Sequence, residues 1–313
     1  MSLIAEAPDF LQVYSDGLVK RFDPETVPAS SKPSNGYKSK DVVIDPSKPI
    51  TGRIFLPHFE NQQNLLPVLV YFHGGGFCIG STTWLGYHHF LGDFSVASQS
   101  IVLSVDYRLA PEHRLPAAYE DCYVALQWLA EQASSEPWLQ GADISRVFLS
   151  GESAGGNIAH HVFVKTTQRN NDVLVLKIKG LMVIHPYFGS EERTEKEEAV
   201  ADDDKECVAM NDMFWRLSIP EDSNRDYFGC NFEKHDVDAS VWSQFPGIEV
   251  YVAGRDFLKE RGVMYAEFLK KKGVKEVKLV EAKEEPHIFH IFYPQSDATR
   301  LLQSQMSHFM KRY

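Results

Sequence analysis

The chain has 313 residues, of which 43% are hydrophobic and 24% are charged, a composition typical of a globular protein with one large domain or two small ones. Fibrous and intrinsically disordered classes are thereby excluded. Acidic residues outnumber basic residues by 43 to 32, and the net charge of −11 would repel nucleic-acid phosphates and anionic lipid headgroups. We therefore expect neither a nucleic acid nor a membrane surface as a partner.

The cysteines and the first residues predict a reducing compartment. Cys78, Cys122, Cys207 and Cys230 lie far apart and form no C-x-x-C pair, so neither a zinc-ligand spacing nor a dense disulfide framework is visible. The acidic Glu6 stands where a signal peptide would be basic, and no apolar run is long enough to span a bilayer. These features predict a cytoplasmic protein.

Alternating strands and helices follow along the chain. Two early strands are predicted at residues 39–44 and 50–56. Later strands are predicted at residues 66–72, 100–105, 146–149, 180–185, 249–253 and 276–280. Helical periodicity marks residues 117–132, 156–168 and 262–271. The alternation predicts right-handed βαβ crossovers and a mostly parallel sheet with helices on both faces, where sites gather beyond the carboxyl ends of the strands.

Two regions break this alternation. Residues 1–40 are rich in turn residues, and residues 190–206 carry nine acidic and three basic side chains, which predicts a solvated loop. An amphipathic helix with Trp215 follows at residues 211–218. We expect both breaks, at about 1–40 and 190–232, to form a small cap over the site within one domain spanning residues 1–313.

The sharpest local signal is Gly151-Glu152-Ser153-Ala154-Gly155, which lies between a predicted strand and a predicted helix. A serine on such a tight turn has strained dihedral angles, and glycines flank it where a Cβ would clash with the neighbouring strand and helix. Its hydroxyl is exposed beside a helix N-terminus, which favours a developing anion. We predict that Ser153 is a nucleophile; the alternative is a glycine-rich turn with a capping serine.

A glycine-rich loop, His73-Gly74-Gly75-Gly76-Phe77, comes directly after a buried strand. Three consecutive glycines indicate that bare backbone is needed there. We predict an oxyanion hole made by the N–H groups of Gly74, Gly75 and Ala154, with His73 ordering the loop. A phosphate-binding turn or a plain loop is the alternative, but the glycine patterns of phosphate loops are missing.

A nucleophilic serine needs a base and a carboxylate that holds the base, in the chain order Ser, Asp or Glu, His. Asp256 follows a predicted strand and His287 follows the next one, so we predict them in these roles. The alternative for Asp256 is a helix N-cap. Other aspartates compete from the acidic or cap region: Asp204, Asp212, Asp226 and Asp236.

His290 lies three residues beyond His287, beside an aromatic run, and we expect it to be packed rather than catalytic. Two pairs of adjacent histidines occur elsewhere, His88-His89 and His160-His161. Neither pair has cysteine or carboxylate partners at a metal-ligand spacing, so no metal site is predicted.

Taken in this order, the motifs resemble the hormone-sensitive-lipase-like branch of the α/β-hydrolases and, within it, the plant carboxylesterases. The resemblance spans about residues 40–313 and includes two further motifs, Asp106-Tyr107-Arg108-Leu109-Ala110-Pro111-Glu112 and Leu115-Pro116-Ala117-Ala118-Tyr119-Glu120-Asp121. It implies an α/β-hydrolase fold, with an eight-stranded, mostly parallel sheet flanked by helices and a small helical cap. The stretch from Tyr107 to Glu112 is by resemblance a structural brace beside the site.

The resemblance also implies a function. Similar plant proteins include a gibberellin receptor, which lacks the catalytic histidine, and enzymes that dehydrate or rearrange specialised metabolites. This sequence keeps the three triad residue types and the glycine loop, which favours a serine carboxylesterase that hydrolyses a small ester without a cofactor. A lyase, dehydratase or cyclase of plant metabolism and a hormone receptor stay open as alternatives.

Aromatic residues near the motifs are candidates for an apolar pocket wall, with core packing as the alternative for each of them. They are Phe77, Tyr187, Phe188 and Trp215. A monomer or a weak dimer is expected.

Overall fold

The computed structural model describes residues 2–58, 64–169, 175–199 and 205–313. Eleven strands lie within these residues. They are β1 (Leu3–Ala7), β2 (Leu11–Tyr14), β3 (Val19–Arg21), β4 (Tyr37–Asp45), β5 (Ile50–Pro57), β6 (Leu66–Phe72), β7 (Ile101–Asp106), β8 (Ala142–Glu152), β9 (Ile178–Ile184), β10 (Gly247–Ala253) and β11 (Val277–Ala282). The last eight form one sheet in the order β11-β10-β9-β8-β6-β7-β5-β4, as the fold class predicted.

The centre of this sheet is parallel. The strands from β7 across β6, β8, β9 and β10 to β11 pair in parallel, while β5 pairs antiparallel with both β4 and β7. Every residue of β6 and β10 is buried, as continuous apolar runs predict for strands that are covered on both faces. The parallel arrangement brings the carboxyl ends of these strands to one edge of the sheet.

Nine helices lie within the described residues. They are α1 (Leu85–Ser98), α2 (Ala117–Gln132), α3 (Ala154–Gln168), α4 (Glu195–Glu198), α5 (Lys205–Ser218), α6 (Ala239–Gln244), α7 (Lys259–Lys271), α8 (Phe289–Phe292) and α9 (Asp297–Lys311). On one face of the sheet α1 contacts α8 and α9, and on the other α2 contacts α3 while α7 covers β10 and β11. In the described part of the chain, no helix combines the length and apolar character needed to cross a membrane.

The predicted elements at the centre are confirmed, with α2 and β6 matching residue for residue. The helix α1 was not predicted from the sequence. Most of its residues are buried, among them Tyr87, Phe90 and Phe94, because it lies between the sheet and other helices. A helix covered on several sides lacks the polar face that produces a clear amphipathic period.

The cap region differs from the prediction at its N-terminal part. Strands β1, β2 and β3 form a small antiparallel sheet there, so this part of the expected cap is not helical. Arg21 at the end of β3 donates to the carbonyl oxygens of Cys78 and Ala110 and pairs with Glu112. The N-terminal sheet is thereby tied to the loops beside the carboxyl edge of the main sheet.

The sequence predicted a solvated loop at residues 190–206, but part of this acidic segment is buried. Thr194 and Glu197 form a capping box at the start of α4, and the Glu197 side chain, only 3% exposed, pairs with Arg261 of α7. A buried guanidinium thus compensates a carboxylate that the local composition alone would place in solvent. Residues 200–204, which include Asp204, lie outside the described residues.

Candidate active site

The turn that carries the predicted nucleophile joins β8 to α3. Ser153 lies between them with φ 54° and ψ −119°, an unfavourable conformation for a residue with a side chain. A Cβ on Gly155 would lie 1.8 Å from the carbonyl oxygen of Phe72 in β6, and one on Gly151 would lie 2.5 Å from the Gly155 carbonyl carbon. Both glycines are therefore required, as predicted, because strand and helix approach each other within the space of a methyl group.

Three side chains predicted from distant motifs meet beside this turn. His287 Nε2 lies 3.1 Å from Ser153 Oγ, and His287 Nδ1 lies 2.7 Å from Asp256 Oδ2. Asp256 follows β10 and His287 follows β11, so the parallel sheet brings both to the edge where β8 ends. The contacts form a continuous path from hydroxyl through imidazole to carboxylate.

Burial and neighbouring charges shift the pKa values of His287 and Asp256. Burial lowers the pKa of His287, but the charge of Asp256 and its hydrogen bond outweigh burial, so the pKa lies above its ordinary value. Burial raises the pKa of Asp256, yet the charge and hydrogen bond of His287 bring it below its ordinary value. The Asp256 side chain is 1% exposed and also accepts from the N–H of Leu258, which orients the carboxylate.

The glycine loop corrects one prediction. The N–H of Gly74 donates to Glu152 Oε1 and lies 3.2 Å from the Tyr87 hydroxyl oxygen. This N–H is engaged inside the protein, so the prediction that Gly74 is an oxyanion donor is wrong. Gly75 and Gly76 follow with φ of 102° and 58°.

Within the described residues, the N–H groups of Gly75, Gly76 and Ala154 donate to no protein acceptor. A triplet of glycines contains more than one possible pair of donors, and only the contact with Glu152 selects between them. This contact joins a backbone N–H to a side chain that is distant in the sequence, so the local motif carried no signal of it.

Glu152 holds the glycine loop through a hydrogen bond to Gly74. Its carboxylate accepts from the hydroxyls of Tyr71 and Tyr87, each at 2.5 Å, in addition to the Gly74 N–H. The residue is fully buried, and burial raises its pKa to about 7, although the hydrogen bonds lower it. His73 helps on the other side: its ring stacks on Tyr107 and its Nδ1 lies 2.8 Å from the Gly74 carbonyl oxygen, consistent with the predicted role in ordering the loop.

The structure separates the two histidines of the last loop. His290 is fully buried and packs edge-to-face against Phe90, as expected of a packed histidine. A third histidine, His185, was not predicted as part of the site. It follows β9, is 2% exposed, and accepts a hydrogen bond at Nδ1 from the N–H of Ile288. A lone histidine after a strand offered no sequence signal for this contact.

The three competing aspartates within the described residues lie elsewhere. Asp212 pairs with Arg193 and Arg225, and Asp226 accepts from the Asn231 amide. Asp236 is exposed. Each is thus accounted for by contacts or solvent away from His287.

The four aromatic pocket candidates are all buried, with exposed fractions of 4% or less. Tyr187 stacks on Trp215 with ring centroids 4.3 Å apart, and Phe77 lies 5.7 Å from the Trp215 ring. Phe188 instead packs against Phe232 and Tyr265. Phe188 therefore belongs to the core rather than to a pocket wall, whereas the other three form an aromatic layer that includes Phe77 of the glycine loop.

Within the described residues, two groups of three could approach a metal ion. One is His185, Asp256 and His287, whose contacts are described above. The other is His160, His161 and His235, where His161 stacks on Tyr119. The rings of this group also pack against Trp242 and Phe228, and His160 Nδ1 lies 2.9 Å from the Tyr265 hydroxyl oxygen.

The chain is similar to known proteins in both sequence and structure. The model of the alpha/beta hydrolase fold family matches residues 69–291. "Probable carboxylesterase 1" of Arabidopsis thaliana is 37% identical, with 96% of this chain and 95% of the relative covered. "Tuliposide A-converting enzyme 1, chloroplastic" of Tulipa gesneriana is 35% identical, with 99% and 78% covered.

Solved structures agree with the sequence relatives. An esterase of Pyrobaculum calidifontis superimposes with a TM-score of 0.74 at 29% identity, covering 88% of this chain and 85% of the other. A thermostable carboxylesterase cloned from a metagenomic library superimposes with a TM-score of 0.75 at 29% identity, covering 88% of each chain. The chain therefore belongs to the α/β-hydrolase family and, within it, to the plant carboxylesterases.

Proposed function

We propose that the protein is a serine carboxylesterase that hydrolyses small carboxylic esters through an acyl-enzyme. One observation carries this proposal: the hydrogen-bonded path from Ser153 Oγ through His287 to Asp256, at 3.1 and 2.7 Å. Nucleophile, base and orienting carboxylate need these contacts and this order. Membership in the plant carboxylesterase family supports the same conclusion.

In the acylation step, Ser153 Oγ attacks the ester carbonyl carbon while His287 Nε2 accepts the hydroxyl proton. The bond to the alcohol oxygen then breaks, and His287 returns the proton to the leaving alcohol. In deacylation, His287 takes a proton from water, the hydroxide attacks the acyl carbon, and Ser153 leaves with that proton as the carboxylic acid is released. His287 carries every proton, so these steps need no cofactor.

The negative oxygen of each tetrahedral intermediate needs preorganised donors. We assign this role to the N–H groups of Gly75, Gly76 and Ala154, with Gly76 replacing Gly74 of the sequence prediction. The hydrogen bond that holds Gly74 against Glu152 supports this assignment. The same hydrogen bond fixes the glycine loop. Donors that are already in place need no reorganisation during the reaction.

The base must be neutral to accept the serine proton. Because Asp256 raises the pKa of His287 above its ordinary value, kcat/KM is expected to rise with pH through that raised pKa and to fall on the acid side. A pH profile of kcat/KM measures this acid limb directly.

A substrate panel of nitrophenyl esters tests the proposal. We expect a burst of nitrophenol and one covalent adduct with an organophosphate in the wild-type protein, and neither in Ser153→Ala. Ser145→Ala is the matched control, since Ser145 lies exposed on β8, the strand that precedes Ser153, and this variant should keep both. A wild-type protein without an adduct by mass spectrometry would contradict the acyl-enzyme.

A conversion without an acyl-enzyme, as a lyase or cyclase, is the second candidate. Two tulip relatives are named tuliposide A-converting enzymes, and these names specify a conversion without naming hydrolysis. Turnover of a metabolite with no covalent adduct at Ser153 would support this candidate. Saturable binding of a small molecule without turnover would instead support a hormone receptor.

The cap elements at about 1–40 and 190–232 are proposed to shape the acyl pocket, within the single domain of residues 1–313. Phe214 of α5 lies against the glycine loop, since a Cβ on Gly76 would lie 2.7 Å from its ring. The cytoplasmic location stays a prediction, and relatives carry the words "chloroplastic" and "mitochondrial" in their names. The expectation of a monomer or weak dimer also stays a prediction.

A further inference from the structure

His185 occupies a strained position between the triad and its supporting strands. It directly follows β9, its φ is 43°, and its N–H donates to the carbonyl oxygen of Tyr251 in β10 at 2.8 Å. A non-glycine residue with positive φ is uncommon and indicates that the surrounding structure needs it there. The ring is buried with 2% exposure and therefore has little freedom to move.

The ring bonds to the turn that carries His287. The N–H of Ile288 donates to His185 Nδ1 at 3.0 Å. A backbone N–H only donates, so Nδ1 must present a lone pair, and the ring is neutral with its proton on Nε2. Burial, partly opposed by the charge of Asp256, keeps the pKa of His185 well below its ordinary value, which agrees with a neutral ring.

Ile288 needs such a partner. Its φ is 47°, a left-handed conformation that disfavours a β-branched side chain and costs about 1–2 kcal/mol. This residue directly follows His287, so the conformation at Ile288 sets the direction in which the His287 backbone enters the site. The hydrogen bond to His185 stabilises that conformation.

The His185 ring also lies beside Asp256, the carboxylate that pairs with His287. One ring nitrogen of His185, one ring nitrogen of His287 and one carboxylate oxygen of Asp256 lie within 4.8 Å of one another. The His185 and His287 ring centroids are 5.7 Å apart. His185 thus contacts the turn that carries the base and lies beside the carboxylate that orients it.

We propose that His185 is a positioning residue for the catalytic histidine: as a neutral hydrogen-bond acceptor, it holds the strained turn that presents His287 to Ser153 and Asp256. The proposal rests on the proposed esterase function. It adds a fourth side chain to the site, and one supplied by β9, the strand between those that carry Ser153 and Asp256.

The test compares His185→Phe, which keeps a ring but removes the acceptor, with His185→Asn, whose side-chain oxygen restores one near Nδ1 and which tolerates positive φ. We expect kcat/KM of His185→Phe to fall roughly 10- to 100-fold, mainly in kcat, because a small misplacement of a catalytic group has effects of this size. His185→Asn should recover most of the loss.

His290→Phe is the matched control. His290 is fully buried in the same cluster, and within the described residues its ring nitrogens have no hydrogen-bond partner. Its replacement should leave kcat/KM close to that of the wild-type protein. Equal losses in His290→Phe and His185→Phe would overturn the proposal, because they would reflect packing alone.

The pH profile provides a readout that packing does not move. The titratable groups around His287 are Asp256, Glu152, His185 and His290. If His185→Phe lets the His287 ring move away from Asp256, the pKa of His287 falls and the acid limb of kcat/KM shifts to lower pH. A folded His185→Phe variant with wild-type rate and acid limb would overturn the proposal.

Proton NMR separates failure of the proposal from failure of the esterase assignment. The His287 Nδ1–H bonded to Asp256 should give a low-field resonance in the wild-type protein, whatever the substrate. Loss of that resonance in folded His185→Phe and its return in His185→Asn would support positioning even if no ester is turned over. An unchanged resonance in all variants would contradict it.

Discussion

The two halves of the site are built in different ways. On the nucleophile side, Ser153 and the glycine loop follow the neighbouring strands β8 and β6, and backbone conformation holds them: positive φ angles and positions with no room for a Cβ. On the histidine side, Asp256 and His287 follow β10 and β11 and are joined by a side-chain hydrogen bond, and the His185 ring after β9 accepts from the N–H of Ile288, the residue that follows His287.

Because of this difference, we expect substitutions on the two sides of the site to affect stability and activity in different proportions. A strained backbone turn depends on residues a few positions apart, so a substitution there disturbs folding and chemistry together. A side-chain contact between loops leaves the sheet intact when it is lost, so its substitution should reduce activity more than the free energy of unfolding. Substitutions on both sides of the site test this difference.

The largest effect is expected for Asp256→Asn. Asparagine keeps the acceptor for the Leu258 N–H, but its amide would donate to His287 Nδ1 and so leave the proton on Nε2, where the ring cannot accept from Ser153. We expect kcat to fall about 10⁴-fold with little change in the urea midpoint. Asp236→Asn, at an exposed position, should match the wild type. A loss of unfolding free energy as large as the loss of activity would break the comparison.

A smaller effect on rate is expected for Gly76→Ala. Its Cβ would lie 2.7 Å from the Phe214 ring, so the loop must shift and an oxyanion donor moves out of place. Loss of one such donor lowers kcat about 10²- to 10³-fold. Gly17→Ala is the matched control, because Gly17 has φ 87° with no neighbouring atom within 4 Å and reports the conformational cost alone.

That conformational cost is about 1–2 kcal/mol, measured by urea unfolding. We expect Gly76→Ala to lose at least as much unfolding free energy as Gly17→Ala, and to lose kcat, which Gly17→Ala should keep. An unchanged kcat in Gly76→Ala would remove this residue from the oxyanion hole.

The smallest effect concerns Glu152→Gln and appears in the pH dependence of stability. Burial raises the pKa of Glu152 from 4.5 to about 7, so between these pH values the folded protein holds a proton that the unfolded chain has released. This carboxyl therefore lowers the free energy of unfolding as pH rises from about 4.5 to 7, and glutamine should abolish that decline. Glu131→Gln, at an exposed position, should keep it.

Urea unfolding at a series of pH values, with wild type and both variants side by side, measures this difference. Parallel curves for Glu152→Gln and the wild type would contradict a buried carboxyl with a raised pKa.

The sequence predicted most of the fold and the nucleophile side for a shared reason. Strand and helix periods, the glycines around Ser153 and the glycine triplet are local patterns that express steric limits within a few residues. The order Ser, Asp, His along alternating strands then predicted Asp256 and His287 as partners of Ser153, because parallel strands bring their carboxyl ends to one edge. The buried helix α1 was missed, since burial on several sides removed its amphipathic pattern.

By itself, the sequence determined the sheet, the nucleophile turn and the three residue types that meet there, because each depends on local sterics or on strand order. Only the tertiary structure decided which glycine N–H groups stay free, that Glu197 is buried against Arg261, and that His185 supports the turn of His287. These features depend on single contacts between segments tens of residues apart. A short motif carries no information about such contacts, since many partners at that distance satisfy the same local pattern.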